Sequence, residues 1–239
     1  MTSQRRNGLD QRMGVRTGAR VGAMVASAVL LAALTGCGSG PRPLPTVKDT
    51  AMHWYSVENW PNARGDLEEY LSRKPDDLDM RVLYGNTLLE MNEPLRAKEE
   101  FQKVFDFNPA NEGAVEGLAR AMLGGNERDA LIEFLNRRIA DRGTVADYLR
   151  LGRFAADIGH ADDAQEAFLT AARLDRGTTV APQLALADFY RSVNDQKSEA
   201  RRLRMALYVE PNNQRIRQRL SELGEIMGPS IPMRPAEAQ

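Results

Sequence analysis

From Leu44 onward the chain repeats one alternation of apolar and polar positions. Val145 to Thr178 carries it most plainly. Leu151, Gly152 and Ala155 fall on one face of a helix, and Gly159 ends it. Ala164, Phe168 and Ala171 then form a second stripe at spacings of four and three. Apolar residues three and four apart predict amphipathic helices. The pattern is therefore a pair of short antiparallel helices, and neither can bury its apolar side alone.

Proline-centred turns show that the pair recurs. Lys74-Pro75-Asp76-Asp77 and Asn108-Pro109-Ala110-Asn111 lie 34 residues apart. Glu210-Pro211-Asn212-Asn213 follows Pro109 by 102 residues, three times that period. A fixed period of this length is the signature of a stacked helical array.

The period and its internal positions resemble the tetratricopeptide repeat, over about Leu44 to Pro211. That family has small residues at positions 8, 20 and 27, a large one at 24 and Pro at 32. The first unit supplies Ala51, Ala63, Leu67, Tyr70 and Pro75, and the second Gly85, Ala97, Phe101, Val104 and Pro109. The fourth supplies Gly152, Ala164, Phe168 and Ala171, with Arg176 in place of proline. The fifth supplies Ala187, Glu199, Leu203, Ala206 and Pro211. The third, from Glu112, has Leu118, Ala119 and then Ala130 and Phe134 one residue early, and reads as a slightly shortened repeat with Gly124-Gly125 at its turn. The resemblance implies an all-α, right-handed α-solenoid of about five helix hairpins, residues 47–211. A capping helix follows at 212–227, and a Pro-rich segment at 228–239 reads as a disordered tail. Asp76, Asp77, Asp162 and Asp163 are expected to cap helices.

The amino-terminal end has a different character. Residues 1–20 are polar and Arg-rich, and Val21 to Leu34 is an apolar run of 14 residues. That is short of the ~20 residues of a comfortable bilayer-spanning helix. A basic front, a short apolar middle and small residues at the end make a secretory signal. Leu34-Thr35-Gly36-Cys37 resembles the bacterial lipobox. It implies a signal peptide over residues 1–36, cleavage between Gly36 and Cys37, and a diacylglyceryl thioether on Cys37 with a further acyl chain, such as palmitate, on the new amino terminus. Several acyl chains hold a protein on a membrane where one is marginal. Gly38 follows Cys37, and in the enteric sorting rule that implies the outer membrane, with the body facing the periplasm. Met13 is an alternative start to Met1. Residues 37–46, with Gly38 to Pro45 reading GSGPRPLP, are expected to be a non-helical tether.

Charge narrows the partners. The chain holds 32 basic and 33 acidic residues, and residues 1–36 contain Arg5, Arg6, Arg12, Arg16, Arg20 and Asp10. Removing those leaves 27 basic and 32 acidic residues, about −5 for the body. Nucleic-acid binding rewards a basic face, so none is expected.

Chemistry-bearing motifs are scarce. His53 and His160 fall in different units, neither with a metal-ligand partner at suitable spacing. Asp76-Asp77-Leu78-Asp79 lacks the glycine and terminal Glu of a calcium loop. Cys37 is assigned to lipid. No catalytic residue, metal or cofactor is expected.

What remains is a surface. In the family, the first helix of each hairpin lines a concave groove. Carried onto this chain, that wall holds Lys48, Met52 and Tyr55, then Asp79, Val82, Asn86, Leu89 and Glu90. Glu116, Arg120, Leu123, Leu149, Arg153, Asp157, Leu184, Asp188 and Arg191 continue it. The mixture of apolar groups and both charges suits a protein or peptide segment. Some family members grip a peptide's terminal carboxylate with Lys and Asn; here Met52 and Leu83 stand at the required positions, so that clamp is absent. The combined features resemble envelope lipoproteins with tetratricopeptide repeats, such as Flp/Tad pilus assembly lipoproteins and pilotins. The expected function is a non-catalytic, membrane-anchored scaffold in pilus or secretion assembly. Outer-membrane biogenesis components and adaptors for cell-wall hydrolases share this build. The alternative from another class is a cytosolic-side regulatory protein with an uncleaved anchor.

Overall fold

A computed structural model describes residues 40–226, 228 and 230–238. The signal segment, Gly36 and Cys37 lie outside the described residues. From Pro43 onward the chain forms one compact unit.

Among the described residues the regular structure is helical throughout. The hairpins are α1 (Leu44–Ser56) with α2 (Trp60–Arg73), α3 (Leu78–Glu90) with α4 (Pro94–Phe107), and α5 (Glu112–Gly124) with α6 (Arg128–Asp141). Then come α7 (Val145–Asp157) with α8 (Ala161–Asp175) and α9 (Ala181–Ser192) with α10 (Gln196–Val209). The single helix α11 (Gln214–Glu222) follows, and a 3-10 turn spans Ala236–Ala238. The arrangement is an α-solenoid: each helix packs on the next along the chain. The first helix begins at Leu44, inside the stretch expected to be a tether. Pro45 sits in its first turn, where a missing N–H breaks no intrahelical bond.

The same backbone device closes every hairpin. Glu58, Asn92, Asn126, Gly159 and Asn194 all have positive φ, one per unit, just after the first helix. Asn and Gly adopt this left-handed conformation readily; Glu58 does so against its preference. Side chains then cap the helix starts. Asn59, Asp77, Asn111, Asp195 and Asn213 each accept a bond from a backbone N–H in the following turn. Of the four aspartates expected to cap, Asp77 does so. Asp162 and Asp163 instead occupy the first turn of α8, after His160, whose side chain makes no capping bond. There their charge suits the positive end of the helix dipole.

Packing between helices follows small against large. Phe101 of α4 is fully buried between Gly85 of α3 and Gly117 of α5. Phe168 of α8 lies on Gly152 of α7 in the same way.

The third unit departs from the expected alignment. In the first four units the second helix begins 16 residues after the first, as Leu44 and Trp60 or Glu112 and Arg128 show. Its fourth, eighth and eleventh residues are Ala63, Leu67 and Tyr70 in α2, and Ala97, Phe101 and Val104 in α4. In α6 they are Leu131, Leu135 and Arg138, all buried. Ala130 and Phe134 are therefore not the packing pair the sequence suggests. Phe134 turns instead to Phe105 of α4, edge to face at 5.6 Å. The shortening is real but falls later: Glu112 and Val145 begin helices 33 residues apart, so the missing residue lies in the α6–α7 turn. Leu131 is larger than the alanine at the equivalent place in its neighbours. Correspondingly, α5 packs more closely on α4 than on its own partner α6.

The described residues of the tail, 228 and 230–238, make contacts with the stack. Ile231 is buried beside Leu203, Ile216 and Leu220. Glu237 pairs with Arg202 at 2.6 Å. Composition points to disorder because prolines forbid a helix; the contacts of Ile231 and Glu237 come from side chains distant in sequence.

Candidate partner-binding groove

Two successive pairs of first helices meet directly, α3 with α5 and α7 with α9, and no successive pair of second helices comes as close. The outward side chains of the first helices form a continuous wall.

Charge pairs cross that wall from one unit to the next. Arg120 of α5 donates to Glu90 of α3 at 2.9 Å. Arg153 of α7 donates to Glu116 of α5 at 2.5 Å, and Arg150 reaches the same carboxylate at 3.2 Å. Leu89, Leu123 and Leu149, on the same helices, are partly buried against the core. Asn86 is half-buried near the Tyr55 phenol, which burial and then the Glu90 charge push up from its ordinary pKa. Asn86, Leu89, Arg120, Leu123, Leu149 and Arg153 all lie on the first helices α3, α5 and α7.

Toward the carboxyl end the pattern changes. Arg191 donates to Asp188 of its own helix, not to the neighbouring unit. Asp157 is exposed at the end of α7. At the other end Lys48 is engaged with Asp77 at 3.1 Å. Burial pushes the Asp77 carboxyl up, but hydrogen bonds from Tyr70, Lys48 and the Met80 N–H outweigh it and hold it below the usual range.

Sequence reasoning missed the polar junction behind the wall. Arg138 of α6 donates to Asp147 of α7 at 2.7 Å, to Glu112 of α5 at 2.5 Å and to the Pro109 carbonyl at 2.9 Å. Arg150 adds bonds to Asp147 and Glu112. Asp147 also closes a capping box with Thr144. Burial raises the Asp147 carboxyl, yet the bonds from Thr144 and Arg138 prevail and hold it below its usual range. The signal was present: Arg138 stands where the other units place Tyr70, Val104, Ala171 and Ala206. It becomes visible only once the α6 alignment is fixed.

No family model matches the chain, and no curated protein matches it. Solved structures do. A thermophilic TPR protein of Thermus thermophilus superposes with a TM-score of 0.55 at 18% identity, over 76% of this chain and 98% of that one. The fold is that of the tetratricopeptide-repeat proteins. A tetratricopeptide repeat protein of Parabacteroides merdae ATCC 43184 matches at 0.56 and 14% identity, over 77% and 72%. MamA from Desulfovibrio magneticus RS-1, residues 41 to the end, matches at 0.52 and 17%, over 71% and 96%. In tetratricopeptide-repeat terms the charge-paired wall is the set of first helices.

Proposed function

We propose that this chain is a non-catalytic scaffold of the bacterial envelope, held on a membrane by lipid on Cys37, that binds a protein or peptide segment along its first helices. The observation that carries the binding reading is the pair of cross-unit bridges Glu90–Arg120 and Glu116–Arg153, with the partly buried Leu89, Leu123 and Leu149 on the same helices. Paired surface charges beside partly buried leucines offer a segment both hydrogen-bonding sites and apolar contact. Anchoring rests on Leu34-Thr35-Gly36-Cys37 behind a 14-residue apolar run. A narrower role in pilus or secretion assembly rests on general build alone.

Three measurements test the reading. Intact mass of the mature protein should report cleavage before Cys37 plus acyl chains, and Cys37→Ser should move the protein to the soluble fraction. Unchanged membrane fractionation of Cys37→Ser would contradict the anchor. Affinity capture with Gly38–Gln239 should lose its specific partner when Arg120→Glu and Arg153→Glu are combined; retained capture would move the site elsewhere.

A further inference from the structure

The carboxyl-terminal segment lies on the α8–α9–α10 surface as an irregular stretch that ends in the 3-10 turn Ala236–Ala238. Ile231 fills an apolar seat formed with Leu203, Ile216 and Leu220. The Ile231 carbonyl accepts from Arg204 Nε at 2.9 Å, and the Met233 N–H donates to the Arg204 carbonyl at 3.0 Å. Six residues after Ile231, Glu237 meets Arg202 at 2.6 Å and Gln183 at 3.3 Å. Gln183 in turn accepts from Arg202 at 3.0 Å, so the two hold each other in place for a carboxylate.

Between these ends Pro235 is buried against Gly177, where an added Cβ would lie 3.0 Å from its ring. Gly177 has φ +70 and belongs to the one enlarged turn of the array. Val145 and Val180 mark equivalent positions 35 residues apart, one more than the period. Asp175 accepts from the backbone N–H and the hydroxyl of Thr179, which fixes that turn. The extra residue is what provides the proline seat.

The stack does not need this segment to close. Helix α11 already covers α10 through Ile216, Leu220 and the Arg219–Glu199 pair. Gly224, at φ +83, redirects the chain after that helix. If the segment lifted, the groups uncovered would include Gln183, Arg202 and Arg204, which water can solvate.

We propose that the α8–α9–α10 surface is a second peptide-binding site, separate from the first-helix wall and closed in the resting protein by residues 231–237. Its ligand class is a proline-containing segment of a partner protein, with a branched apolar side chain followed six residues later by a carboxylate on a closing turn. The chain's own tail supplies that chemistry in cis, at the high effective concentration of a tethered competitor.

The test uses the full chain and a fluorescent peptide of residues 228–239. Ile231→Asp with Glu237→Arg releases the tail. The released chain should keep its cooperative melt and bind the peptide at least about 10-fold more tightly than the native chain, because the tethered competitor is gone. Adding Arg202→Glu should abolish that binding, and a peptide carrying Glu237→Arg should restore it. Equal binding by native and released chains, or indifference to Arg202→Glu, would overturn the site. So would loss of the cooperative melt, which would make the tail part of the core. A concentration-dependent dimer of the native chain that Arg202→Glu abolishes would assign the surface to a second copy and overturn the partner reading.

Discussion

The ring of Phe101 occupies the space that a side chain on Gly117 would need: a Cβ there would lie 2.3 Å from the ring's Cε1. Gly85 meets the same ring from the other side, with a Cβ position 2.6 Å from Cζ. One aromatic therefore joins two hairpins, and it does so because both facing positions lack a side chain. Gly117→Ala should destabilise the protein. Overpacking costs about 1–3 kcal/mol and outweighs the gain of about 1 kcal/mol from helix propensity. Gly65 of α2 provides the opposite case, since nothing lies within 4 Å of a Cβ there. Gly65→Ala should stabilise by about 0.5–1 kcal/mol. Urea midpoints of the two variants check this; a shift in the same direction for both would contradict the packing account.

The junction between the third and fourth units should be sensitive to truncation and to acid. Arg138→Ala takes one of two arginines from the buried Asp147 carboxylate while Arg150 and Thr144 stay, a loss of charged hydrogen bonds that costs about 1.5–3 kcal/mol. The pH sign follows from the lowered Asp147 pKa. Its stabilising contribution is present above the ordinary carboxylate pKa of about 4 and is lost as pH falls through the lower folded value. Hydrogen exchange should show α6 and α7 losing protection in acid before α3 and α4 do. Uniform loss along the array would deny the junction its role.

The wall pairs should behave differently. The side chains of Glu90, Arg120 and Arg153 are 42%, 44% and 52% exposed. Exposed pairs contribute roughly 0–1 kcal/mol each. Arg120→Glu with Arg153→Glu should therefore shift the denaturation midpoint little and retain the helical circular dichroism. A large loss of stability would mean that these residues hold the stack together, not that they face a partner.

Much of this architecture could be read from the chain. Pro75, Pro109 and Pro211 set the period, and Gly85 with Phe101 and Gly152 with Phe168 set the contacts, because each of these features acts over a short span of sequence. What escaped depended on distant segments. Arg138 reads as a surface charge until its alignment with Val104 and Ala171 is known. The tail reads as disordered because Pro232 and Pro235 exclude a helix, while Arg202, Arg204 and Gln183, which hold it, lie 27 or more residues away. The wall positions followed from the family resemblance, but the pairing of Arg153 with Glu116 and the closure of Arg191 onto Asp188 depend on side-chain reach.

Site-specific photo-crosslinking in cells tests the partner-binding wall most directly. A photoreactive side chain would replace Arg120, Arg153 or Asp188 on the first helices, and Lys103 or Arg137 on the second helices. A discrete adduct with one partner is expected from the first-helix positions and none from Lys103 or Arg137. Adducts from the second-helix positions alone, or equally from both sets, would contradict a binding surface on the first helices.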